Sequence, residues 1–210
     1  MIRLAALLSP LLLASIANAE VQKRGPEVWP GKNELSAHIG WESGLTSYFI
    51  ANGYPSGGTP SGFKLFVNYA YRFNKMAWFD GGVNFVFGGN AGCDGFGNCY
   101  YGNYGNTVEP SVGIKLKWDT PIPLVPYARL DATLVGIYSR HCGDNGVALA
   151  GRAAGGVKYF LKNFIGVGIE GGFLMGPAFF SGAPNCNLGY AGHNELYAAI
   201  DFGAGAEFIF

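Results

Sequence analysis

Charge is the scarcest ingredient of this 210-residue chain: Asp, Glu, Lys and Arg together make up 13% of it. A soluble domain carries about 25%, so this sequence has little material for a water-facing surface. The 14 basic and 14 acidic residues balance, which leaves no basic surplus for a nucleic-acid partner and no charge block to mark a disordered tail. Unbroken apolar runs are missing too, once the opening residues are passed; a membrane helix needs about 20 such residues. Glycine (34), phenylalanine (16) and tyrosine (12) are plentiful instead. A chain of this composition without membrane helices fits a bilayer only as a closed barrel, because lipid offers the backbone no other hydrogen-bond partners.

The opening residues set the compartment. MIRLAALLSPLLLASIANA places Arg3 before an apolar stretch from Leu4 to Ile16, followed by Ala17-Asn18-Ala19. This is the pattern of a secretory signal peptide over 1–19, with cleavage expected before Glu20. Ser9, Pro10 and Ser15 interrupt the stretch, which argues against a retained anchor. Residues 20–33, with Pro26 and Pro30, are expected to form a short periplasmic tail, and 34–210 the barrel.

Eight segments alternate with the two-residue period of a strand. Outward positions are Leu35, Ala37, Ile39 and Trp41 in the first; Phe63, Leu65, Val67, Tyr69, Tyr71 and Phe73 in the second; and Phe79, Gly81, Val83, Phe85 and Phe87 in the third. The fourth offers Val108, Pro110, Val112, Ile114, Leu116 and Trp118, and the fifth Ala128, Leu130, Ala132, Leu134 and Tyr138. Leu149, Ala153, Val157 and Tyr159 follow, then Val167, Ile169 and Phe173, and last the even-numbered residues from Leu196 to Phe210. The opposite face holds nine acids (Glu34, Glu42, Asp80, Glu109, Asp131, Glu170, Glu195, Asp201, Glu207) and seven bases (Lys64, Arg72, Lys115, Lys117, Arg129, Arg152, Lys158), while the outward face holds no charge. A charge on the lipid face costs up to about 2–4 kcal/mol at the midplane. A lipocalin-like soluble barrel would show the reverse pattern. The expected fold is therefore an all-β, eight-stranded antiparallel up-and-down transmembrane barrel.

Connection lengths follow the same plan. Long loops are expected at 43–62, 88–107 and 176–194 and a shorter one at 139–146, with brief turns at Asn74-Lys75, Asp119 to Val125 and Leu161 to Phe164. Phe73, Trp118, Tyr159 and Phe210 close one set of strand ends, and Trp41, Phe87, Tyr138 and Phe173 the other, as two aromatic girdles.

With the signal peptide, the loop alternation, PYARLDATLVG (126–136), GRAAGGVKYF (151–160) and a last strand ending AEFIF, the chain resembles the small outer-membrane barrels of the OmpA transmembrane domain and OmpX superfamily over 34–210. The resemblance implies a Gram-negative outer-membrane location. It implies that Phe210, with Phe208 and Ala206, is the signal read by the barrel assembly machinery. No peptidoglycan-binding domain is expected after the eighth strand, so cell-wall anchoring is not implied.

Eight strands enclose a lumen just wide enough for side chains to fill. The sixteen inward charges are expected to pair across it, with Phe66, Trp78 and Tyr127 adding bulk; the alternative is a narrow path for ions or small solutes. Cys93, Cys99, Cys142 and Cys186 all fall in expected outer loops, and an even count in an exported chain reads as disulfides. Local closure favours Cys93–Cys99 and loop proximity Cys142–Cys186. Metal binding by Cys142, Cys186, His141 and His193 is disfavoured because the spacing does not resemble a zinc site. No cofactor is expected.

Ser36 and His38 share a face with Glu34 and Glu42, which supplies the residue types of a nucleophile, base and orienting acid. That face points into the lumen, while an acyl chain would arrive from lipid, so no catalysis is expected. The loops, above all GNAGCDGFGNCYYGNYGN (89–106), combine turn-forming Gly and Asn with adaptable aromatic contacts. The expected partners are outer-membrane lipid, the assembly machinery and an unidentified surface ligand, with a structural or surface-interaction role.

Overall fold

The computed structural model describes residues 31–45, 50–51, 54–55, 61–88, 90–93, 99–102, 106–138, 145–183 and 190–210. In chain order its strands are β1 (Asn33–Gly44), β2 (Ile50–Ala51), β3 (Tyr54–Pro55), β4 (Gly62–Arg72), β5 (Ala77–Gly88), β6 (Asn90–Cys93), β7 (Cys99–Gly102), β8 (Asn106–Lys117), β9 (Leu124–Tyr138), β10 (Gly146–Lys162), β11 (Ile165–Ala183) and β12 (Tyr190–Ile209). Eight of them, β1, β4, β5, β8, β9, β10, β11 and β12, close into an antiparallel barrel in which each pairs with its sequence neighbours and β1 meets β12. The fold is the one expected. Two small hairpins, β2–β3 and β6–β7, stand apart on the loop side. Among the described residues no helix is long and apolar enough to cross a membrane.

The alternation sorts the side chains as its period requires. In β1 the inward Glu34, Ser36, His38 and Glu42 are buried and Leu35, Ala37, Ile39 and Trp41 exposed. The same sorting continues through the other barrel strands, up to Leu130 at 69% exposure and Ile169 at 65%, with Ala198 of β12, expected outward, buried instead. Closure removes every lateral edge of the main wall, so the backbone of each central strand is bonded on both sides.

The wall is uneven. β1, β4, β5 and β8 have 11 or 12 residues, close to the nine to eleven that cross a bilayer when tilted. β9, β10, β11 and β12 lengthen to 15, 17, 19 and 20. The expected loop at 176–194 is consequently mostly strand: β11 runs to Ala183 and β12 starts at Tyr190. Pro177 disguised this extension. It has no N–H, and the β10–β11 pairing is interrupted between Ala148↔Ala178 and Gly151↔Met175, while Pro177 still pairs with Leu196 of β12. Phe173, expected at a strand end, therefore lies within β11. At the loop end of β1, β4 and β5 the girdle is a true row, because Trp41 is in register with Phe63 and Phe202, and Phe63 with Phe87.

Candidate functional site

The lumen concentrates the chain's chemistry. Eight carboxylates (Glu34, Glu42, Asp80, Glu109, Asp131, Glu170, Asp201, Glu207) and six cations (Lys64, Lys115, Lys117, Arg129, Arg152, Lys158) are buried inside. Every one joins a single continuous chain of ion pairs. At the turn end Glu34 meets Lys115 at 2.8 Å, Lys158 at 3.1 Å and also Lys117; Glu207 meets Lys117 at 2.7 Å and also Lys158. Lys115 passes the chain on to Asp80 at 2.8 Å, and Asp80 to Arg129 at 3.2 Å.

In the middle Arg129 holds Asp131 at 2.7 Å, while Arg152 bridges Glu170 at 2.8 Å and Asp201 at 2.7 Å. Toward the loop end Lys64 gathers Asp201 at 2.9 Å, Glu42 at 2.6 Å and Glu109 at 3.4 Å. Burying a charge is tolerable only with such partners, because a low-dielectric interior penalises an isolated ion by several kcal/mol.

Carboxylates outnumber cations in this network, and neutral donors cover the difference. Asn68 donates to Asp80 at 2.6 Å, Tyr127 to Glu170 at 2.8 Å, and both Asn84 and Thr107 to Glu109 at 3.0 Å. The Tyr197 hydroxyl stands 3.0 Å from Glu42 and 3.2 Å from Glu109. Charge counting alone does not find Asn68, Asn84, Thr107 and Tyr197; the available signal was a polar or hydroxyl residue at inward parity. The aromatic bulk has a definite task as well. Lys117 lies over Trp78 at 4.4 Å, Lys158 over Tyr127 at 4.6 Å and Arg129 over Phe66 at 4.7 Å, where the ring faces attract the cations.

Glycines make room for these large groups. A Cβ on Gly172 would lie 2.7 Å from Arg152 Nη2, one on Gly168 2.9 Å from Lys158 Cγ, and one on Gly156 2.8 Å from the Tyr127 ring and against the Ile169 carbonyl. Apolar clusters lie above and below the charges. Ala70, Trp78, Val125, Phe160 and Ile209 pack at the turn end. Val135, Ile137, Ala148, Ala150, Leu174, Ala178, Phe180, Tyr197 and Ala199 line the inner face of the tall half of the wall. A void of about 10 Å³ remains beside His38, Lys64, Phe66, Arg152, Glu170 and Asp201, against Gly40 and Gly203, which is room for about one water molecule.

The remaining sequence candidates fall as follows. Arg72 is half-buried at the rim, stacked 5.7 Å over Trp78, and no carboxylate among the described residues pairs with it. It therefore stands outside the network in which it was expected, because as the last residue of β4 it has the right parity but too little depth. Nothing is described of the Glu195 side chain. Ser36 and His38 are buried in the lumen. His38 packs edge-on against Phe66 with ring centroids 5.3 Å apart, and its Nδ1 has no partner among the described residues. Glu34 and Glu42, the acids available to orient a base, are held by lysines.

Cys142, Cys186 and His141 lie outside the described residues, as do residues 1–30; for Cys93, Cys99 and His193 only the backbone is described. That backbone sets Cys93 directly opposite Cys99 across β6–β7. Phe208 and Phe210 are exposed beside the closing seam, ring centroids 5.8 Å apart, and Phe208 meets Phe164 at 5.7 Å. Asn33 and Phe210 exchange backbone hydrogen bonds of 3.0 and 2.9 Å.

Neither a family model nor a curated protein sequence matches the chain. Among solved structures it is similar to Neisserial surface protein A (NspA), at 14% identity and a TM-score of 0.52 over 85% of this chain and 95% of that one. It is also similar to the outer membrane protein OprG from Pseudomonas aeruginosa, at 12% identity and 0.49 over 86% and 97%. Ail, the attachment invasion locus protein of Yersinia pestis, aligns at 16% identity and 0.41 over 84% and 99%. The fold is shared with NspA, a surface protein, in accord with the resemblance drawn from the sequence.

Proposed function

We propose that this chain is an outer-membrane barrel whose interior is closed to solutes and whose outer loops carry its function, by surface interaction rather than catalysis. The observation that carries this reading is the lumen: fourteen paired charges form one network between two apolar clusters. An ion moving through it would have to break several buried pairs, each of which leaves an uncompensated charge when opened. The uncharged outer band supports a lipid setting, since the alternating apolar residues reach high exposure with no charge among them.

Export follows in this reading from the signal peptide at 1–19, with 20–33 remaining on the periplasmic side. Phe208 and Phe210 present the terminal strand to the barrel assembly machinery. A Cys93–Cys99 disulfide would stiffen the β6–β7 hairpin, and the directly opposed backbone positions favour it; a Cys142–Cys186 disulfide would tie two further loops. The surface partner is a ligand of unassigned chemistry.

A narrow channel is the second reading, and the water-sized void beside His38 and Arg152 is the observation in its favour. Single-channel recording of the oxidised barrel in a planar bilayer separates the two, after a heat-dependent gel shift has established folding. Silence from a folded barrel supports the closed lumen. Uniform conductance steps would sink it and make Lys115, Lys117 and Arg152 the selectivity candidates. Turnover of labelled lipid, lost in Ser36→Ala, would overturn the non-catalytic reading.

A further inference from the structure

The described exterior carries four exposed charged side chains, and all four stand at the turn end. Lys32 immediately precedes β1, Lys75 lies in the 73–76 turn, Asp119 in the 118–123 connection and Lys162 closes β10. These are the four places where the chain enters or rounds the lower rim, so the charges are distributed around the circumference. The backbone fixes their positions. The Lys32 carbonyl accepts from Arg72 N–H at 2.7 Å, Asn74 Oδ1 accepts from Lys75 N–H at 2.5 Å, and a register shift between Phe160 and Lys162 turns the end of β10.

Half-buried Arg72 adds a further cation at this rim. Next to these positions stand exposed aromatics, Phe73, Trp118, Phe164, Phe208 and Phe210, of the kind that mark a membrane interface. The Lys162 ammonium lies 5.9 Å from the Phe164 ring. At the loop end no exposed charge is present among the described residues.

We propose that this rim is a docking collar for anionic phospholipid headgroups of the periplasmic leaflet, with Lys32, Lys75 and Lys162 as the contacting groups. The proposal rests on the membrane reading above and adds to it a lipid class and a side. Flexible ammonium groups just beyond an aromatic girdle sit at headgroup depth, where each cation near an anionic surface contributes roughly a fivefold gain in binding. Asp119 interrupts the collar but leaves it net positive.

The test is electron spin resonance of the full barrel in phosphatidylcholine vesicles containing spin-labelled phosphatidylglycerol or spin-labelled phosphatidylcholine. A several-fold preference of the motionally restricted fraction for phosphatidylglycerol is expected, weakened by salt. In the variant Lys32→Gln/Lys75→Gln/Lys162→Gln it should fall to near parity, while Asp119→Asn should strengthen it. No preference in the parent, or a preference unchanged in the triple variant, would overturn the proposal.

Binding of soluble peptidoglycan fragments through the same lysines, without lipid preference, would also overturn it and name the cell wall as the occupant. The heat-dependent gel shift of each variant separates misfolding from lost contact. Failure of the parent to float with vesicles would count against the membrane reading itself, a result distinct from insertion without selectivity.

Discussion

The two faces of one wall obey different rules. On the inner face both size and charge are fixed: Arg152, Lys158, Tyr127 and His38 lie against glycines, and each ion has a partner within a few ångströms. On the outer face only polarity is fixed. Glycine makes the contrast plain, since a Cβ on outward-facing Gly151 meets nothing within 4 Å and one on outward Gly155 meets only the Tyr127 carbonyl at 3.4 Å. A glycine-rich strand therefore reads in two ways. Inside, the missing side chain is space already occupied; outside, it is space left to the surroundings.

Substitutions can break this contrast, and the deepest should act most strongly. Glu34→Ala strips a shared partner from Lys115, Lys117 and Lys158, and is expected to destabilise the barrel by about 3–5 kcal/mol. Urea unfolding in vesicles, followed by tryptophan fluorescence, measures it. Leu130→Lys brings a charge onto the outer face in the middle of β9 and should cost about 2–4 kcal/mol in the same assay. If it proved neutral, Leu130 would not face hydrocarbon. Gly156→Ala, pressed against the Ile169 carbonyl and the Tyr127 ring, should cost about 1–3 kcal/mol through overpacking. The smallest effect belongs to Gly151→Ala, which fits without contact and should stabilise by about 0.4–1 kcal/mol by restricting the unfolded chain. Equal losses at Gly156 and Gly151 would erase the distinction between the faces.

Legibility in the sequence divides along the same line. Which side chains point inward was readable because strand parity is a local property: Glu34, Lys64, Asp80 and Arg152 each lie among apolar residues of opposite parity. Depth and partnership are not local. Arg72 shares the parity of Lys64 but ends its strand and so sits at the rim. The Lys64–Asp201 pair joins β4 to β12 and appears only once the barrel has closed and a register is set. The void beside His38 likewise needs Gly40 and Gly203 side by side, a proximity that closure alone creates. The tall half of the wall was missed for a different reason. Beyond Met175 the alternation carries no charges to mark its phase, and Pro177 reads locally as a stop.

The seam between β1 and β12 has a consequence for how the molecule comes into being. Its hydrogen bonds join Asn33 to Phe210, nearly the whole described length apart, and pairings so distant in sequence make folding slow. Glu34, on the first strand, also waits for partners on β8 and β10. The ring can reach its stable interior only when it is complete, because an open sheet would expose the same charges to hydrocarbon with their partners missing. Insertion and closure are thereby coupled, and a partly built barrel has no comfortable place to stop.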